Sequence, residues 1–99
     1  MSARQNELPI PPAAQKDKKA IELARIWAAK GKQHAVLATK VWDDPAAWGT
    51  MLVDLAKHIA NAYAQDEDMD YDEVLLRVKE GFDAEWESAT DEPDGQVEE

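Results

Sequence analysis

The segment that most constrains the fold is a strongly marked helix start near the middle of the chain, Trp42-Asp43-Asp44-Pro45-Ala46-Ala47-Trp48-Gly49. Asp44 suits the N-cap position, because its carboxylate can accept hydrogen bonds from free backbone N–H groups of the first turn. Pro45 suits the first helical position, where its missing N–H costs nothing. Trp42 and Trp48 flank the cap and are predicted to clamp the chain where it enters the helix. Two carboxylates between two indoles could instead form a functional cleft, but adjacent side chains at a helix start diverge, which favours the structural role.

The sequence after this segment predicts two amphipathic helices separated by an acidic loop at residues 66–68. Large apolar residues recur every three or four positions over residues 48–63, and again over residues 74–86, which is the period of a helix with one buried face. Asp70 and Glu73 resemble the capping box of the second helix. Gly81 lies inside the second apolar stripe and indicates a close crossing or a bend.

Residues 20–41 allow two interpretations. The alanine-rich residues 20–29 could form a helix that ends at Gly31. The strand-like run that follows favours a β-hairpin instead, turning at Lys30-Gly31-Lys32. A two-residue loop scatters the large apolar side chains between the faces of such a hairpin. The prediction is therefore a hairpin with a three-residue loop, which gathers on one face Ile21, Leu23, Trp27, Leu37 and Val41.

These elements predict a small α+β protein of one domain, a β-hairpin followed by two amphipathic helices (ββαα). The domain is expected at residues 16–87, after an extended proline-rich arm at residues 1–15 and before an acidic tail at residues 88–99 that is predicted to be disordered. The chain has no cysteine, which excludes a disulfide scaffold and thiolate chemistry. It has no long apolar run and no signal peptide, so a cytoplasmic location without membrane association is expected.

The predicted hairpin suggests a homodimer. Both helices can cover one of its faces, but the other face keeps Ile26 and Val36, and both edges are unpaired. Two strands alone form only a marginal sheet. We therefore expect either self-association through a hairpin edge, giving a four-stranded sheet, or another protein partner.

The net charge of −10 is unevenly distributed. Residues 1–60 carry nine basic and six acidic side chains, whereas residues 61–99 carry two basic and fifteen acidic ones. The overall acidity argues against general binding of nucleic acid. The basic hairpin region leaves one alternative function, binding of nucleic acid or another anionic surface that the acidic C-terminal half inhibits. Deletion of residues 87–99 should then produce salt-sensitive binding of DNA or RNA.

No pattern of residues predicts catalysis, a metal site or a cofactor. His58 follows Asp54 by one helical turn, but no nucleophile lies in a suitable context. Aspartates alternate over residues 66–70 as at the start of a calcium loop, yet the positions that need Gly and Glu hold Tyr71 and Arg77. Phosphate-binding, dinucleotide-binding and zinc patterns are absent from the sequence. The protein is therefore expected not to be an enzyme.

The helix-start segment, together with residues 55–60 and 81–86, resembles a family of short bacterial proteins that is described as a domain of unknown function. The resemblance covers residues 7–90 and implies that the hairpin runs are strands, but it implies no catalytic or binding residues. The sequence thus predicts a small non-enzymatic protein-interaction or assembly module. Its candidate interaction surface consists of Trp42, Trp48, Ile26, Val36, His34 and His58.

Overall fold

A computed structural model of the protein describes residues 6–88. The elements are α1 (Pro12–Lys16), β1 (Ala24–Ala29), β2 (Lys32–Leu37), α2 (Ala46–Asp66) and α3 (Tyr71–Glu87). The predicted ββαα arrangement is confirmed, and the alternative helix over residues 20–29 is wrong because this stretch contains β1. The predicted disordered tail lies outside the described residues, except for Ser88.

The strands β1 and β2 form an antiparallel hairpin that turns through two residues, Lys30 and Gly31. Both have left-handed backbone conformations, with φ values of 55° and 77°. A two-residue turn of this kind matches the right-handed twist of the strands it joins. Ala29 therefore pairs with Lys32, which belongs to β2. The predicted three-residue loop is wrong by one residue, because Lys30 itself adopts the left-handed conformation.

This register distributes apolar side chains over both faces of the hairpin. Since neighbouring residues of a strand point to opposite faces, a shift of one residue exchanges the faces of a whole strand. Ile26 pairs with Ala35, whereas Val36 pairs with Arg25 on the opposite face. The prediction that Ile26 and Val36 share a face is therefore wrong, and the sheet has apolar residues to bury on both sides.

An aspartate side chain accepts a backbone hydrogen bond at the start of both long helices, as predicted, but α2 begins at Ala46 and not at the predicted Pro45. The Asp44 carboxylate accepts a hydrogen bond from the N–H of Ala46 at 3.0 Å. The Asp70 carboxylate accepts one from the N–H of Glu73, also at 3.0 Å. Between the helices, Asp68 takes a left-handed conformation with φ of 56°, which turns the chain from α2 towards α3.

The short helix α1 was not predicted, because the arm was expected to be extended throughout. Its first residue is Pro12, whose fixed φ suits the first turn of a helix. The residues that follow it, Ala13, Ala14, Gln15 and Lys16, are good helix formers. Within the described residues no helix or strand precedes α1, and Pro11 has φ and ψ of −59° and 145°.

The buried core of the described residues lies between α2 and α3 and is small. Ala60 and Val74 are the buried side chains of residues 6–88. No Cα atom of β1 or β2 lies within 8 Å of a Cα atom of α2 or α3. Close packing of the helices on the hairpin, which the sequence led us to expect, is thus not observed. Of the close crossing or bend predicted at Gly81, the close crossing is not observed, because a Cβ atom there would have no neighbour within 4 Å.

Candidate interaction surface

The helix α2 has a wider apolar surface than one neighbouring helix can cover. At about 100° per residue, the polar side chains between Thr50 and Gln65 occupy an arc of about 100°, and apolar side chains occupy about 220°. A helix that packs on a single neighbour needs an apolar stripe of only about 100°. The contact with α3 buries Ala60 but leaves exposed Leu52, Val53, Leu55 and Tyr63.

The C-terminal half of α3 presents an aromatic pair to solvent. The rings of Phe82 and Trp86 stack with centroids 5.6 Å apart and an angle of 20° between their planes. Phe82 is 52% exposed and Trp86 is 79% exposed. Exposed aromatic side chains of this kind are common anchors of protein interfaces.

Leu52 of α2 and the aromatic pair of α3 lie at the same end of the helix pair. The connection at residues 67–70 is short, so the two helices run antiparallel. Phe82 lies two turns beyond the buried Val74, and Leu52 lies two turns before the buried Ala60. Both positions are therefore at the end remote from the connection. We call this region the distal apolar surface, which consists of Leu52, Phe82 and Trp86.

The two predicted clamp residues meet at the start of α2. The rings of Trp42 and Trp48 lie 5.1 Å apart at 85°, an edge-to-face arrangement, and both side chains are half-buried. Edge-to-face aromatic contacts are attractive beyond the area that they bury. This geometry fits the predicted role in fixing the path of the chain into the helix.

The other predicted surface residues are not gathered into one site. Ile26 and Val36 are exposed on opposite faces of the hairpin. His34 pairs with Trp27, and its Nε2 atom lies 3.2 Å from the carbonyl oxygen of Ala29. His58 is exposed on the polar side of α2. The structure therefore brings together only Trp42 and Trp48.

Charged groups in the described residues form surface pairs rather than a reactive cluster. The Arg25 guanidinium donates hydrogen bonds to the carboxylates of Glu22 and Glu7, which raise the pKa of Arg25 above its usual value. The Lys79 ammonium group donates to Asp83 at 2.7 Å, and this hydrogen bond raises the pKa of Lys79. Within residues 6–88 there is no group of three potential metal ligands. None of the described helices has the length and apolarity to cross a membrane.

Sequence reasoning assigned the distal apolar surface to the core. The signal that could have identified it is the width of the apolar arc of α2, since one partner helix cannot cover it. The positions of Phe82 and Trp86 within a regular stripe give no such signal, because a stripe has the same period whether its residues are buried within the chain or by another molecule.

The fold and the surface define a small ββαα domain with extensive exposed apolar area. The chain belongs to the family described as Domain of unknown function (DUF5076), which matches residues 7–90. It is similar over the full length of both chains to a solved structure described as "Structure of a putative pyruvate dehydrogenase from the photosynthetic bacterium Rhodopseudomonas palustrus CGA009", with 31% sequence identity and a TM-score of 0.70. No curated protein matches the chain.

Proposed function

We propose that the protein is a non-enzymatic assembly module whose apolar surfaces are completed by another polypeptide. The observation that carries this proposal is the imbalance between burial and exposure. Within residues 6–88 only Ala60 and Val74 are buried, whereas thirteen large apolar side chains are more than one third exposed. A folded domain of this length ordinarily buries several large apolar side chains completely.

The total accessible surface supports the same proposal. The chain exposes 8967 Å², whereas a compact protein of 11.1 kDa is expected to expose about 5,700 Å². Full exposure of every residue outside 6–88 would still leave an excess on the order of 1,000 Å². A standard protein interface buries about 800 Å² on each partner. The excess is thus sufficient for one interface of ordinary size.

The chemistry of the described residues favours assembly over catalysis. Catalytic groups usually lie in clefts where partial burial shifts their pKa values. No polar or charged side chain of residues 6–88 is buried. The two groups with shifted pKa values, Arg25 and Lys79, are exposed members of ion pairs. These residues offer no observation that favours the dehydrogenase activity in the description of the related structure.

The ion pairs of Arg25 also favour assembly over binding of nucleic acid. Arg25 is the one basic residue of β1 and therefore a candidate phosphate contact of the basic hairpin region. Its guanidinium is instead occupied by Glu7 and Glu22. Phosphate binding at this position would first require the loss of two ion pairs.

The proposal is tested by measuring the mass and the urea unfolding of the full chain between about 1 and 100 µM, the range in which weak interfaces dissociate. We expect either an oligomer or a monomer of low stability that requires a partner. A monomer that unfolds cooperatively with more than about 5 kcal/mol would contradict the proposal, because such a domain needs no second polypeptide.

Two substitutions on α3 test whether the distal apolar surface is covered in the assembled protein. We expect Trp86→Ala to weaken assembly by more than about 2 kcal/mol, the cost typical of a buried aromatic anchor. The matched control is Leu76→Ala, since Leu76 is 57% exposed but lies about 15 Å along α3 from Trp86, nearer the connection to α2. It should cost less than about 0.5 kcal/mol, as do most surface substitutions. Equal, small effects in an associated protein would show that this surface is not the interface.

A further inference from the structure

The outer edge of β1 carries unpaired backbone groups, and the residues that present them are uncharged. The N–H of Ala38 donates to the carbonyl of Leu23 at 3.0 Å, which sets the alternation of hydrogen bonds along the hairpin. The backbone groups of Arg25 and Trp27 consequently face β2. The intervening residues Ala24, Ile26 and Ala28 direct their N–H and C=O groups outwards, and no backbone hydrogen bond to them occurs within residues 6–88.

Proteins usually protect such an edge. Lysine side chains, prolines and bulges are the common devices that prevent a free strand from pairing with another chain. The three outward positions of β1 hold only alanine and isoleucine. A sheet of two strands is also marginally stable in water, and this one has apolar residues on both faces. The hairpin therefore has an open edge at which further strands could pair, and such strands would stabilise it.

We infer that β1 pairs in antiparallel orientation with β1 of a second copy of the chain, with Ile26 opposite Ile26 of the partner subunit. The result is a four-stranded sheet in the order β2, β1, β1, β2. This inference rests on the proposed function and names the second copy as the polypeptide that assembles on the hairpin. Pairing by strand addition uses backbone hydrogen bonds for affinity and side chains for register.

Charge and hydrogen bonding select this register among its neighbours. With Ile26 on the two-fold axis, Ala24 lies opposite Ala28 of the partner subunit, so all three outward residues form hydrogen bonds. Arg25 then lies opposite Trp27 of the partner subunit, where a guanidinium and an indole attract each other. Centring the pair on Arg25 would place two guanidinium groups directly opposite, which is unfavourable. Centring it on Trp27 would bring the outward residue Ala24 opposite the turn and lose its hydrogen bonds.

Charge also selects the edge of β1 over the edge of β2. The segment at residues 32–40, which contains β2, has Lys32 and Lys40 and no acidic side chain. Lys32, the first residue of β2, is a charged side chain of the kind that protects a free strand edge. The segment at residues 22–29, which contains β1, has one acidic residue, Glu22, and one basic residue, Arg25. Its two copies can approach without net repulsion.

The absence of cysteine from the chain allows a direct test with single cysteines in the full-length protein. We expect Ile26→Cys to form disulfide-linked dimers under mild oxidation, because Cα atoms in such a pair are about 5.5 Å apart, within the range that a disulfide spans. Ala35→Cys is the matched control, since Ala35 pairs with Ile26 within the hairpin and lies on the same face at the other edge. It should remain monomeric on a non-reducing gel.

A pair of proline substitutions tests the same edge without introducing a cross-link. Ala28 and Gln33 are cross-strand partners whose N–H groups point away from the hairpin at opposite edges. Ala28→Pro should weaken dimerisation by about tenfold or more, because it removes an outward donor and blocks close approach of a strand. Gln33→Pro should leave the dissociation constant within about threefold, since its edge stays unpaired. Circular dichroism of both variants verifies that the hairpin and helices persist.

The outcomes separate this inference from the proposed function. A dimer that cross-links through residue 26 and is weakened by Ala28→Pro supports the inference. A dimer that cross-links through residue 35, or through neither position, overturns the β1 pairing and leaves the assembly function intact. A monomer of low stability also overturns it, because the missing partner is then another protein. A monomer of full stability overturns both.

Discussion

At the scale of single residues, the start of α3 depends on one carboxylate. Asp70 accepts a hydrogen bond from the N–H of Glu73 and lies at the positive end of the helix dipole. We expect Asp70→Ala to reduce the free energy of unfolding by about 1 kcal/mol, the usual cost of losing an N-cap. Urea unfolding at a fixed protein concentration measures this change.

The controls for this prediction keep or avoid the capping contact. Asp70→Ser should retain most of the stability, because the hydroxyl group also caps helices. Asp72→Ala removes a charge from the first turn of α3 without removing the side-chain cap. If Asp72→Ala were as destabilising as Asp70→Ala, the effect would come from charge at the helix start and not from the capping hydrogen bond.

Residues such as Asp44 and Asp70 could be predicted because a cap is a local contact between a side chain and the next turn of backbone. The hairpin turn could not be predicted to the residue. Both Lys30-Gly31 and Lys30-Gly31-Lys32 satisfy the sequence pattern of a turn, and the choice depends on whether Lys30 takes a positive φ. Lysine rarely adopts a positive φ, so a lysine at position 30 does not indicate the left-handed conformation that Lys30 has in the structure.

At the scale of the elements, α3 carries a glycine that its packing does not require. A Cβ atom at Gly81 would have no neighbour within 4 Å, and the residue lies inside the helix. We expect Gly81→Ala to raise the free energy of unfolding by about 0.5 to 1 kcal/mol, because alanine loses less backbone entropy in a helix. Thermal and urea unfolding both report this gain.

Gly31→Ala provides the opposite control. Gly31 also has open space around it, but its φ of 77° is unfavourable for alanine. We expect a loss of about 1 kcal/mol at this position. If Gly81→Ala were destabilising in the assembled protein, another chain would have to approach α3 at that point.

The helices could be predicted as elements, whereas the faces of the hairpin could not. The period of three and four residues identifies α2 and α3 whatever covers them. The hairpin register was predicted on the premise that one face is buried and the other exposed. In the structure Ile26 and Val36 lie on different faces, so the premise does not hold for this sheet. When both faces of a sheet carry apolar residues, the alternation of apolar and polar side chains along a strand does not select one pairing register over another.

At the scale of the whole molecule, the sequence did not predict correctly which apolar side chains of the helices are buried. The stripes on α2 and α3 predicted a core that includes Phe82 and Trp86, yet both are exposed. An apolar stripe on a helix indicates that this face is buried, but it does not indicate whether the same chain or another molecule buries it. For the same reason, the distal apolar surface, which was assigned to the core, differs from the predicted candidate surface of Trp42, Trp48, Ile26, Val36, His34 and His58.

Assembly makes the stability of the whole molecule depend on its concentration. If native subunits associate and unfolded chains do not, a tenfold rise in protein concentration adds about 1.4 kcal/mol to the free energy of unfolding per dimer. Between about 1 and 100 µM we therefore expect the urea midpoint to rise by an amount on the order of 1 M. At each concentration the urea midpoint of Ala28→Pro should be lower than that of the unmodified protein, whereas the midpoint of Gln33→Pro should match it. Coincident curves for the unmodified protein would mean that its exposed apolar surfaces are not covered by a second copy.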